Sequence, residues 1–139
     1  MKMTAIALIA AVAAVTAAGC SGAHPPRHAA SASPSPSDLS CQTAQNAEIR
    51  AEGALGAGFS TTTLSRAATI WKLAVQKITD SGVDLQGTRD GQLVADIDLA
   101  VVWADDAVLA LDLGKPSSAS KANDKLLAAE QKITSDCGG

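Results

Sequence analysis

Between Asp38 and Cys137 apolar residues return every three or four positions, the repeat that keeps one side of an α-helix oily. Four such stretches follow one another. The first is predicted over about Asp38 to Gly58, capped by Ser37 or Asp38, with Cys41, Ala44, Ala47, Ala51, Ala54, Leu55 and Gly58 along one side. The second spans about Thr62 to Ser81 and carries Leu64, Ala67, Ala68, Trp71, Val75 and Ile78. Gly82 is expected to stop it in the left-handed conformation, with Val83 folding back. The third starts between Thr88 and Gly91 and runs to Leu113, where Gly114 and Pro116 end it; its main face is Leu93, Ile97, Ala100, Val101, Ala104, Val108 and Leu111. The fourth covers about Ser117 to Asp136, with Ala119, Ala122, Leu126, Ala129, Ile133 and Cys137 on one side. Four amphipathic helices of similar length with short links predict an all-α fold, an up-down-up-down four-helix bundle.

The first residues follow another pattern. Lys2 precedes an apolar run from Ala5 to Ala18, interrupted at Thr16, and small residues lead to Cys20. A charged start, a short apolar core and a small-residue end make a secretory signal. The core falls short of the roughly 18 residues that a membrane-spanning helix needs. Ala17-Ala18-Gly19-Cys20 resembles the lipobox of bacterial lipoproteins, with Ala17 where that family usually has Leu or another branched aliphatic residue. The resemblance covers residues 1–20 only. It implies that residues 1–19 are a removed signal peptide, that Cys20 receives a diacylglyceryl group on its sulfur, and that the freed amine is acylated, as with palmitate. It also implies residence at the cell membrane, lipid-anchored on the extracytoplasmic face. Read without the lipid step, the same leader is an ordinary signal cut near Ala18 that releases a soluble protein.

Residues 20–37 hold four of the five prolines and no bulky apolar side chain, so they cannot bury enough surface to offset their ordering entropy. They are expected to be a tether, reaching about 50 Å if extended at ~3.1 Å per residue. The helical domain then occupies residues 38–139. Export bears on its two cysteines. In an up-down-up-down bundle the start of the first helix and the end of the last lie at the same end, and Cys41 and Cys137 occupy those places. Outside the cytoplasm such a pair is expected to form a disulfide.

Composition removes several function classes. The net charge of −3 gives no nucleic-acid surface. Tyrosine is absent, and the aromatics are Phe59, Trp71 and Trp103, too few for the stacking clefts of sugar-binding sites. Both histidines, His24 and His28, lie in the tether, so the domain has no imidazole base. With both domain cysteines assigned to a disulfide no thiol nucleophile remains. Neither a Gly-x-Ser-x-Gly elbow nor a phosphate-binding glycine loop is present. No enzyme activity, cofactor or metal is therefore expected.

Two constellations remain. Asp98, Asp105 and Asp112, seven apart, line one edge of the third helix. Glu48 follows Cys41 by seven residues and Glu130 precedes Cys137 by seven, about 10 Å from the disulfide at ~1.5 Å per residue. With Asp98 at a similar level, Glu48, Asp98 and Glu130 could make a three-carboxylate layer that either binds a cation or pairs with lysines such as Lys72, Lys77, Lys125 and Lys132. The second constellation is the rear of the third helix, where Leu99, Val102, Trp103, Ala110 and Leu113 lie away from the main face. Either the neighbouring helices cover them or they form a surface for a protein partner or a second copy in a homodimer, with Trp103 as anchor. The expected function is thus a non-enzymatic, membrane-tethered helical module that binds a protein partner or assists envelope assembly. The alternative is a carrier that holds a small apolar or lipid ligand between its helices.

Overall fold

The computed structural model describes residues 34–138. The leader, Cys20 and the tether up to residue 33 lie outside the described residues. Four helices make up the described chain: α1 (Pro36–Leu55), α2 (Thr61–Asp80), α3 (Arg89–Asp112) and α4 (Pro116–Asp136). They form the four-helix bundle expected from the apolar repeat, and a Cys41–Cys137 disulfide with Cα atoms 5.3 Å apart closes it.

Local chemistry sets the helix ends. α1 starts earlier than the apolar pattern suggests. Ser35, not Ser37 or Asp38, is the cap: its hydroxyl accepts from the Asp38 N–H at 3.2 Å, and its own N–H donates to the Asp38 carboxylate at 3.1 Å. Pro36 sits at the first helical position, where its missing N–H costs nothing. The exposed Asp38 carboxyl is held below its ordinary pKa by the Ser35 side chain first and the Ser35 backbone second. Ser60 and Thr63 form a second reciprocal cap on α2. Gly114, at φ +65°, ends α3 by letting its own N–H reach Leu111 O and the Lys115 N–H reach Ala110 O, which satisfies two terminal carbonyls.

The interior is built mostly from alanine. α1 contributes Cys41, Ala44, Ala47, Ala51 and Ala54, and the bulk comes from Trp71, Leu64, Ile78, Leu93, Ile97, Leu126 and Ile133. Trp71 is fully buried. The main packing runs in chain order, α1 on α2, α2 on α3 and α3 on α4, while α1 meets α4 only sparsely. The seam between the first and last helices is therefore the weakest in the bundle, and the disulfide spans it.

One close approach is invisible to the repeat. A Cβ on Gly91, in the first turn of α3, would lie 1.8 Å from the backbone oxygen of Leu85. Any side chain there forces the α2–α3 connection away from α3. Gly91→Ala is expected to cost about 1 to 3 kcal/mol, the range of overpacked sites, in a urea melt. A variant as stable as the parent would show that the turn yields freely.

Candidate functional site

α3 is the only helix among those described that packs extensively against two neighbours while presenting a run of large apolar side chains outward. Its inward side is Leu93, Ile97, Ala100, Ala104 and Ala107, all fully buried. On the opposite side Leu99 is 40% exposed, Val102 49%, Leu109 57% and Leu113 59%. Neighbouring helices thus leave Leu99, Val102 and Leu113 of the rear of α3 uncovered. Exposed apolar residues elsewhere, such as Ile49, Leu73 and Leu127, number one or two per helix and need no special account.

Trp103 stands apart from this surface. It is half-buried, and the Lys125 ammonium sits over its ring, 4.0 Å from the centroid. It points toward α4, where it lines a recess of about 280 Å³ with Asp106, Lys121 and Lys125. Trp103 therefore borders the exposed stripe on its α4 side. Leu109 takes a place in the stripe that the sequence reading did not give it, although its position three after Asp106 and four before Leu113 continues the same spacing. Ala110 is buried.

The aspartate edge lies on the α2 side. Lys72 of α2 reaches Asp105 at 3.0 Å, with both side chains about half exposed. Such a pair is worth about 0 to 1 kcal/mol. Asp98 and Asp112 are exposed on the same edge.

The three-carboxylate layer does not form. Asp98 is on the outer edge of α3, away from the α1–α4 seam. The carboxylates that act on Glu130 are Glu52 and Glu48 of α1. Among the described residues no group of three or more His, Cys, Asp or Glu side chains is placed to hold a metal ion. Glu130 is only 5% exposed, and one of its oxygens, like the Trp71 indole N–H, is buried without a hydrogen-bond partner. Burial first, then the negative charges of Glu52 and Glu48, push its pKa up to about 7, and the nearby Trp71 indole N–H, which does not close a hydrogen bond, opposes the shift. Glu48 is held across the seam by the Thr134 hydroxyl, which donates to it at 2.5 Å.

A second carboxyl pair closes the disulfide end. Asp96 is 3% exposed, accepts from Gln92 at 3.0 Å and lies 3.9 Å from Lys132 of α4. Burial, and then Asp96, raise the pKa of Asp136, while Lys132 opposes the shift. The Ser37 hydroxyl donates to buried Asp90 at 2.9 Å and ties the start of α1 to the start of α3.

A recess of about 550 Å³ opens beside the α2–α3 turn, but Thr88, Arg89, Gln92 and Asp136 give it a largely polar lining. It is not the apolar interhelical cavity a lipid carrier needs. Among the described residues no helix is long and apolar enough to cross a membrane. No protein-family model, curated protein or solved structure matches the chain.

Proposed function

We propose that this chain is a non-enzymatic, lipid-anchored module of the cell envelope, held at the extracytoplasmic face through Cys20, that binds a protein partner with the outward side of α3. The observation that carries this reading is the run of Leu99, Val102, Leu109 and Leu113, exposed on a helix whose other side is fully packed. Large apolar side chains lined up in water are a cost unless something covers them. The tether gives the domain reach from the membrane. A lipid anchor of two or more acyl chains, at about 0.8 kcal/mol per buried CH₂, keeps it there. Assistance in envelope assembly is the broader form of the same role. The carrier reading lacks support, since small alanines draw the helices together where a ligand chamber would lie.

Two variants test it. Intact mass of the parent is expected to show the acyl chains on Cys20, and Cys20→Ala is expected to remove them and leave the leader uncut. Leu99→Ser with Leu109→Ser is expected to cost about 1 kcal/mol and leave the domain folded, because the side chains are 40% and 57% exposed and neither belongs to the buried core. The parent is expected to run as part of a larger complex when the gently solubilised envelope is separated on a native gel, and the double variant is expected to lose that complex. Retention of that complex by the double variant would contradict the proposed surface.

A further inference from the structure

We infer that the occupant of the α3 face is an amphipathic helix of another protein, with apolar residues three and four apart, a single Lys or Arg in their midst, and further basic residues along one edge. This deepens the partner-binding reading above and rests on it. Leu99, Val102, Asp106, Leu109 and Leu113 step by three and four residues, the repeat with which one helix packs along another. All five are exposed, and Asp106 is the midpoint of the stripe. An apolar partner would bury that carboxylate unpaired, which is costly; a cation placed opposite it converts the cost into a charge-assisted contact.

The borders extend the pattern. Asp98, Asp105 and Asp112 form the edge toward α2, with Lys72 engaging only Asp105. Lys121, beside Trp103 and Asp106, forms the edge toward α4, where Lys125 is folded over the indole. A complementary helix is basic where it meets Asp98 and Asp112 and acidic where it meets Lys121. Such flanking charges fix the partner's direction and register. A second copy of this chain fits poorly. Parallel or antiparallel, pairing along the stripe centres Asp106 on its own twin. An anionic lipid surface fits worse, because the stripe and its α2 edge carry four exposed aspartates.

The probe is a synthetic amphipathic peptide about three heptads long. It has leucines at the seam, one central lysine, lysines along one edge and glutamates along the other. Its twin carries glutamate in place of the central lysine. Binding to the full mature chain is read by fluorescence anisotropy. The lysine-centred peptide is expected to bind at least about tenfold more tightly than its twin, and Asp106→Lys to reverse that preference. Asp106→Asn should weaken binding of the lysine-centred peptide. Circular dichroism checks the fold of each variant.

Equal binding of the two peptides, or a preference that Asp106→Lys leaves unchanged, would overturn the inference. So would self-association that Asp106→Asn strengthens in sedimentation, which identifies a second copy as the occupant, or tight binding to phosphatidylglycerol vesicles by the unlipidated mature chain, made without its leader and with Cys20→Ala. If the peptides fail in this way while Leu99→Ser with Leu109→Ser still removes the native complex, the partner's chemistry is wrong and the docking face stands.

Discussion

Reduction of the Cys41–Cys137 disulfide is expected to lower the melting temperature by roughly 16 to 40 °C. The bond closes a loop between residues 96 apart in sequence. Constraining a loop of that size in the unfolded chain is worth about 4 to 5 kcal/mol in the chain-entropy model. In a domain of about 100 residues each kcal/mol moves the midpoint by about 4 to 8 °C. The fold makes this domain unusually dependent on the bond. α1 buries almost nothing larger than alanine, so its packing against α2 returns little apolar area. Its contact with α4 is sparse, and the sulfur bridge is the main tie across that seam. The damage should therefore be local first. Amide exchange in residues 36–55 is expected to accelerate on reduction well before exchange in residues 89–112. Cys41→Ser with Cys137→Ser should reproduce the reduced melt. A melt unchanged by reductant, with both thiols shown to be free afterwards, would mean that α1 is held by packing alone.

Glu130→Gln is expected to stabilise the domain at pH 7.5 and to flatten its pH dependence. The folded pKa of Glu130, about 7, lies above the ordinary glutamate value of 4.5. A carboxyl raised in this way favours the fold fully below pH 4.5, where both states are protonated. That advantage disappears as pH rises through 7, because the folded state must then hold a buried charge beside Glu48 and Glu52. The parent protein should accordingly melt at a higher temperature near pH 5 than near pH 8. Asp136, also raised by burial and by Asp96, adds in the same direction. At about 1.4 kcal/mol per pKa unit, discounted for water reaching a seam this lightly packed, the Glu130 contribution is on the order of 2 kcal/mol. Glutamine keeps the size and removes the charge, so its variant should gain about that much at pH 7.5 and nothing near pH 4. A thermal melt series over that range reads both. A parent whose stability rises from pH 5 to pH 8 would contradict the placement of Glu130.

The residue pattern carried the helix count, the core side of each helix and the disulfide, because these follow from a repeat of 3.6 and from chain topology. It missed what depends on how neighbours meet. Ser35 caps α1 from inside a Pro-Ser stretch that composition marks as tether; the decisive sign is the local trio of Ser35, Pro36 and Asp38. Counting residues from the disulfide sets a height along the bundle axis but says nothing of direction around α3, and Asp98 is exposed. Glu48 and Glu52, four apart on one side of α1, were the pair that reaches the seam. Trp103 looked like an interface anchor by residue type, yet Lys125, in another helix, covers its ring. Leu109 was legible from spacing alone and belongs with Leu99, Val102 and Leu113. Gly91 had no sequence sign, since the backbone it nearly touches arrives from the preceding turn.

The central claim is that the outward side of α3 is where this domain meets another protein. It is tested most directly by placing a photo-crosslinking amino acid at Leu109 and, separately, at Leu73, a residue of α2 of nearly equal exposure at 55% against 57%. Illumination of intact cells is expected to give a discrete protein adduct from position 109, lost when Leu99→Ser is added, and none from position 73. Adducts of the same size and yield from both positions, or none from position 109 while the protein is folded and at the membrane, would contradict it.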